Sequence, residues 1–280
     1  AVGRVRYAAG EVGIMLHRNG FLLSAGGAER LCALVLLNCG GVDVPLVRRL
    51  WGVCGYRVCA DGGANRLHDM LPEDQRPQFI PDAVVGDLDS VREEVLELYS
   101  SLGARVVRDS DQDYNDLNKS LRTIADHLHA ESRDADVVVL GAFGGRLDQE
   151  MATFQELFAF RGVFRRVVVM DATNVAELLD AGRHRIRPLR GVEGPVCGLI
   201  PLGGASRAST RGLKWDLRAQ ELAFGGLVST SNEAEGEEVH VEVSAPVLFT
   251  MTLDASPEAL ARAQALASEP PGGIPSTRGA

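Results

Sequence analysis

In the stretch PDAVVGDLDS, Pro81 to Ser90, an apolar run, Ala83-Val84-Val85, leads through Gly86 into Asp87 and Asp89. A run that is apolar at every position, not at alternate ones, fits a strand covered on both faces. Two carboxylates then stand where that strand ends. Runs of the same kind recur: CALVLLN (32–38), YRVCAD (56–61), ARVVRD (104–109), DVVVLGA (136–142) and RRVVVMD (165–171). Helical patterns lie between most of them. Ser90-Val91-Arg92-Glu93 reads as a capping box opening a helix through Tyr99. Leu117, Leu121, Ile124 and Leu128 form an amphipathic stripe, so Asp116 to His129 reads as a helix, and Gln149 to Phe160 as another. Strands apolar on both faces and separated by helices predict a parallel-sheet, Rossmann-like α/β domain over residues 31–173.

After Asp171 the texture changes. VAELLDAGRHRIRPL (175–189), PVCGLIPL (195–202) and EVHVEVSAPVLFTMTL (238–253) are short strand-like runs punctuated by Gly, and VHVEVS alternates with period two. An all-β, antiparallel sandwich domain is expected over 174–254. Residues 1–30 are read as a flexible extension. The Pro/Gly/Ser-rich end SEPPGGIPSTRGA leads to the same reading for 255–280.

At 280 residues the chain can hold two ordinary domains. A net charge of −9 argues against nucleic acid or an anionic membrane as partner, and no apolar run approaches a membrane span. The five cysteines include no C-x-x-C pair and read as free thiols, which points to a reducing, cytoplasmic setting. His184 and His240, in strand-like runs, are expected to face solvent.

Ligands of an open parallel sheet bind beyond the carboxyl ends of its strands. Asp61, Asp87, Asp89, Asp109, Asp111, Asp113, Asp116 and Asp148 all follow such ends. Two carboxylates about 4 Å apart repel by roughly 4 kcal/mol at an effective dielectric near 20. A hard divalent cation offsets that repulsion, and Mg²⁺ usually shares its shell with substrate phosphates. Asp109 and Asp111 read more simply as turn residues, while Asp87 and Asp89, arriving off a buried strand, read as functional. Gly62-Gly63 between a strand and a helix would let backbone N–H groups approach an anion, although Gly is common after strands. Asp113, Asp116 and Ser120 are expected on one helix face, with Lys119 nearby. Arg146 and Asp148 sit in a strand-to-helix turn. There Arg146 would neutralise transferred phosphates, and Asp148 would orient it or bind a ribose hydroxyl or metal. No Walker loop or dinucleotide fingerprint is present. Two other readings stay open on these residues: a Mg²⁺-dependent phosphatase using DLDS, and a non-catalytic nucleotide-binding module.

Taken together and in order, CADGGANRL, VVGDLDS, DQDYNDLNKSL, GGRLDQEMA, GLKWDL and FGGLVSTSNE resemble the thiamine pyrophosphokinase family, over about Leu34 to Leu253. The resemblance implies an α/β domain followed by a β-sandwich, a homodimer with thiamine at the subunit boundary, and transfer of a pyrophosphoryl group from ATP to thiamine, giving thiamine diphosphate and AMP. It implies that Asp87, Asp89 and Asp116 hold Mg²⁺, with Arg146 and Asp148 completing the catalytic set. Asp61, Gly62, Asn65, Gln112, Asp113, Lys119, Arg146 and Asp148 would surround the nucleotide. Trp215, Ser229, Ser231 and Asn232 would form the thiamine pocket. Leu88 and Leu147 replace the family's common Phe in two motifs, which reads as a packing adjustment.

Overall fold

The computed structural model describes residues 14–23, 31–40 and 42–268. In chain order the elements are β1 (Met15–His17), β2 (Cys32–Leu36), α1 (Val44–Val53), β3 (Tyr56–Ala60), α2 (Gly63–Met70), β4 (Ala83–Gly86), α3 (Glu93–Ser101), β5 (Arg105–Arg108), α4 (Asp116–Leu128), β6 (Asp136–Leu140), α5 (Leu147–Ala159) and β7 (Arg166–Met170). There follow β8 (Asn174–Leu179), β9 (Gly182–Ile186), β10 (Glu193–Ile200), β11 (Ser206–Arg211), β12 (Gln220–Leu222), β13 (Ser229–Glu233), β14 (Val239–Val243), β15 (Val247–Leu253) and α6 (Pro257–Ser268).

One ten-stranded sheet runs β13-β10-β15-β8-β7-β6-β2-β3-β4-β5. From β7 to β5 its strands are parallel. The strand residues explain why both faces read as apolar. Leu34, Leu36, Val84, Val138 and Leu140 face one core, which they share with Leu46 and Leu50 of α1, Leu67 of α2 and Val95 and Tyr99 of α3. The alternate residues, Ala33, Val35, Val85, Val137 and Val139, face a second core with Leu117, Leu121 and Ile124 of α4 and Leu157 of α5. Successive side chains point to opposite faces, so a sheet covered by helices on both sides needs apolar residues at every position.

Between β7 and β8 the strands turn antiparallel without leaving the sheet, with Val169 opposite Ala176. The antiparallel strands β8, β15, β10 and β13 therefore extend the α/β sheet. A five-stranded sheet, β1-β9-β14-β11-β12, covers them. Val239, Val241 and Val243 of β14 meet Phe249 and Met251 of β15 in one core, which makes this region a sandwich.

Several expectations need correction. Residues 14–23 are not a loose extension. β1 pairs in parallel with β9, Met15 opposite His184, and Leu22 and Leu23 are buried. The rest of the segment read as 1–30 lies outside the described residues. Nor is 255–268 a loose tail: Ala255, just before α6, is buried, and so are Ala259, Leu260 and Ala263, with Ala259 and Ala263 four apart on one face of α6. The Pro/Gly-rich composition that suggested disorder belongs to residues from 269 onward, outside the described ones. His184 does not face solvent. It is 3% exposed, with Nδ1 2.9 Å from His17 Nε2 and Nε2 2.7 Å from the Asp180 carbonyl oxygen. α4 ends at Leu128, because His129 takes a φ of 50°.

Candidate active site

The site grows from the carboxyl ends of β3, β4 and β5. Asp61 N donates to Val85 O and Asp109 N to Gly86 O, both at 2.8 Å, so each strand delivers an aspartate just past its last residue. Asp61 is 2% exposed and adopts a φ of 42°. Its Oδ2 accepts from Ser90 N and its Oδ1 from Val91 N, each at 3.1 Å. From α2, Asn65 grips the same loop, donating to Ser90 O at 2.9 Å and accepting from Arg92 N at 3.0 Å. These bonds explain why the expected capping box does not form. The Ser90 backbone N–H is spent on Asp61 and its Oγ donates to Asp89, so α3 starts at Glu93 with Arg92 as its cap.

Held in this way, the loop places Asp87 and Asp89 beside Asp61. One ligand oxygen from each of the three lies within 4.8 Å of the others. Leu88, between the two, takes a φ of 65° and is buried in the core beneath. Gln112 Nε2 donates to Asp87 Oδ2 at 2.9 Å, and that bond holds the Asp87 carboxyl below its ordinary range.

Asp116 joins from behind. A Cβ on Gly86 would fall 2.8 Å from Asp61 Cβ and 3.0 Å from Asp116 Oδ1, so these two aspartates flank the strand end only because residue 86 is glycine. Burial first, and the nearby Asp61 second, push the Asp116 carboxyl up to about 6, against the opposing pull of Lys119. Lys119 is 3% exposed, and its Nζ lies 3.9 Å from Asp116 Oδ1. The crowding of negative charge anticipated from the sequence is thus present. It centres on Asp61 with Asp87 and Asp89, and Asp116 and Lys119 lie alongside.

Other candidates fall differently. Gly62 is accounted for by packing, since a Cβ there would meet Asn38 Nδ2 at 2.3 Å. Asp113 does not share a helix face with Asp116 and Ser120. It lies in the loop before α4, where Asp113 N donates to Asp111 Oδ1 and Asp111 N to Asp109 Oδ1, and Ser120 is fully buried. Arg146 and Asp148 are exposed and pair with each other in two contacts, of 3.1 and 2.5 Å. Residues missed in the sequence include Asn38, whose Oδ1 accepts from Arg66 Nε at 3.0 Å, and Cys39, whose Sγ contacts the carbonyl oxygens of Phe143 and Gly144. Both follow the end of β2, the position that signalled the aspartates.

The four residues expected at thiamine gather around β13. Trp215 is 54% exposed, Ser231 takes a φ of 56°, and Ser229 and Asn232 are buried. The Asn232 amide is spent on the Trp215 backbone. Lys214 Nζ sits 4.7 Å from the Trp215 ring centroid and forms an ion pair with Glu233. β13 and β4 stand eight strand intervals apart in the sheet order. At about 4.8 Å per interval that is on the order of 38 Å.

Comparison with known proteins covers both halves of the chain. Residues 47–169 match the family described as "Thiamin pyrophosphokinase, catalytic domain", and 183–248 match "Thiamin pyrophosphokinase, vitamin B1 binding domain". Thiamine pyrophosphokinase 1 of Oryza sativa subsp. japonica is 41% identical over 73% of this chain and 81% of its own length. Thiamine pyrophosphokinase 1 of Arabidopsis thaliana is 38% identical over 86% of this chain and 94% of its own. The solved thiamin pyrophosphokinase from Candida albicans superposes with a TM-score of 0.76 at 28% identity, covering 86% of this chain and 93% of that one. With both halves of the chain matched and these relatives covered over 81 to 94% of their length, the chain belongs to the thiamine pyrophosphokinase family.

Proposed function

We infer that the chain transfers the pyrophosphoryl group of ATP to the hydroxyl of thiamine, giving thiamine diphosphate and AMP, at the carboxyl ends of β3, β4 and β5. The observation that carries the site assignment is the convergence of Asp61, Asp87 and Asp89 to within 4.8 Å. The donor set is all oxygen and fits a hard divalent cation such as Mg²⁺. Asp61, Asp87 and Asp89 would hold it, with Asp116 alongside. When bound, the ion supplies charge neutralisation for the phosphates.

The chain's own groups do the rest. Phosphoryl-type transfer is mostly positioning and electrostatic stabilisation. Asp61 and Asn65 fix the loop bearing Asp87 and Asp89, and Gln112 orients Asp87. Lys119, buried beside Asp116, offers a point charge to phosphate oxygens. Arg146 stands exposed at the start of α5 with Asp148 steering its guanidinium, ready to meet a polyphosphate from solution. Gly62, Asn65, Gln112 and Asp113 complete the nucleotide side as the family's motifs have it.

Trp215, Ser229, Ser231 and Asn232 form the thiamine side. The exposed indole offers one ring face to a cationic thiazolium, worth about 0.5–2 kcal/mol, while Lys214 lies over the ring as well. The separation of β13 from β4 supports a homodimer in which the Trp215 group of one subunit serves the carboxylates of the other. The divisions 31–173 and 174–254 are proposed as the ATP-binding and thiamine-binding domains. Free thiols support a cytoplasmic setting. No helix among the described residues is long and apolar enough to cross a membrane.

The deciding assay supplies ATP, Mg²⁺ and thiamine and separates the nucleotides. AMP and thiamine diphosphate should appear in equal amounts and only with thiamine present. Release of ADP, or of inorganic phosphate without thiamine, would contradict the reading.

A further inference from the structure

α5 carries a buried carboxylate that the reaction as described does not use. Glu156 is 6% exposed, and each of its oxygens accepts from a side-chain amide: Oε1 from Asn115 Nδ2 at 3.2 Å, Oε2 from Asn118 Nδ2 at 2.6 Å. Those two asparagines bracket the first turn of α4. Asn115 is its N-cap, with Oδ1 accepting from Asn118 N at 2.7 Å, so both ends of its amide are committed. Asn118 lies inside the helix, also 6% exposed, and its Oδ1 has no partner among the described residues. Asparagine is a poor helix-interior residue, and a buried amide oxygen without a partner is costly. The bond to Glu156 is what that placement achieves. Between and beside the two asparagines stand Asp116 and Lys119, and α5, which provides Glu156, begins at Leu147, beside Arg146 and Asp148.

We propose that Glu156 is a positioning residue for pyrophosphoryl transfer: by accepting one amide on each side of Asp116, it fixes the rotation of the first α4 turn and so the aim of Asp116 and Lys119. The inference rests on the assignment of Asp116 and Lys119 to the phosphate-handling site. Burial pushes the Glu156 carboxyl up while the Asn118 and Asn115 amides pull it back, as expected of a carboxylate kept for its acceptors. Misplacing a reacting or binding group by about 1 Å can cost about 100-fold in rate, so a clamp one layer away has leverage.

The test is a set of four variants assayed for both substrates, with Tm measured alongside. Glu156→Gln turns one acceptor toward an amide donor. It should lower kcat/KM for ATP about 10-fold and leave the KM for thiamine within about twofold. Asn118→Ala, which removes a donor without opposing two, should give the same selective loss, about threefold. Combining Asn115→Asp with Glu156→Gln restores every pairing: the new carboxylate at 115 caps α4 with one oxygen and accepts the new amide at 156 with the other. That pair should recover to within about threefold of wild type. Loss of Tm alone with unchanged kcat/KM for ATP, a KM for thiamine raised about 10-fold, or no recovery in the pair would overturn the proposal. Asp116→Asn, run in parallel, should lose about 100-fold or more. If it stays active, the assignment of Asp116 fails, and the proposal falls with it whatever the clamp variants do.

Discussion

The Asn232 side chain closes a two-point bracket on the Trp215 peptide: Oδ1 accepts from Trp215 N at 3.2 Å, and Nδ2 donates to Trp215 O at 2.9 Å. A third bond, from Glu233 N to Oδ1, fixes the amide itself. Asn232 is 3% exposed whereas Trp215 is 54% exposed, so a rigid interior amide holds an open aromatic face in place.

That bracket gives the first prediction. Trp215→Ala should raise the KM for thiamine about 10-fold with kcat changed less than about threefold, the pattern for lost uniform binding. Asn232→Ala should do much of the same without touching the ring. The double variant should be little worse than Trp215→Ala, because the two residues act as one unit. Additive losses would show that Asn232 acts independently of Trp215.

Neutralising one carboxylate of the cluster should separate activity from stability. Asp87→Asn keeps the shape of a half-buried side chain and removes one member of a crowded acidic group. Turnover should fall about 100-fold or more, while Tm in metal-free buffer should hold or drop only slightly, because the Gln112 bond favours the charge that the variant removes. A variant with wild-type turnover would remove Asp87 from the site. One that unfolds would recast it as a structural residue.

Mg²⁺ should be visible without any turnover. A ligand that binds only the folded state stabilises it by about 2.7 kcal/mol at 100 times its Kd. For wild type, Tm should therefore climb with Mg²⁺ concentration and drop on chelation. In Asp87→Asn and Asp89→Asn the climb should shrink or vanish. An identical climb in all three proteins would place the ion elsewhere.

How much of this could be read in the sequence depends on the range over which each feature is specified. The parallel strands were legible because burial on both faces leaves an unbroken apolar run, as in β6, where all five residues are buried. The aspartates were legible because strand ends are where such sheets bind ligands. β1 was not, since its three residues find their partner in β9 and His17 meets a histidine 167 residues away. The Ser90 capping pattern was present, yet tertiary bonds from Asp61 and Asn65 took the loop for the site. The burial of Lys119, the second role of Asp61 as a loop anchor and the Asn232 bracket all depend on packing between segments far apart in the chain. Local pattern carries no trace of them.

The buried network under β1 should set the acid limit of the fold. Glu177, 5% exposed, has its Oε2 2.8 Å from His17 Nδ1, and Arg166 approaches it at 3.4 Å. Burial opposes its charge, but His17 and Arg166 outweigh burial and hold its carboxyl down at about 2. A folded-state value below the unfolded one, about 4.3, means the unfolded chain binds the proton more readily. The stabilisation is complete above the unfolded value and is lost as pH falls toward about 2, on the order of 3 kcal/mol in all. His184, lowered chiefly by burial, acts in the same direction from higher pH, as the unfolded chain gains a proton there first. Glu177→Gln should therefore cost stability at pH 7, because it leaves a buried cation short of its partner. Between about pH 4.5 and 3 its Tm should fall less steeply than that of wild type, while the shallower decline below about pH 6.5 should persist in both. Thermal melts of the two proteins across pH 3 to 7 decide the matter. Parallel curves below pH 4.5 would mean that Glu177 does not set the acid limb and that exposed carboxylates do.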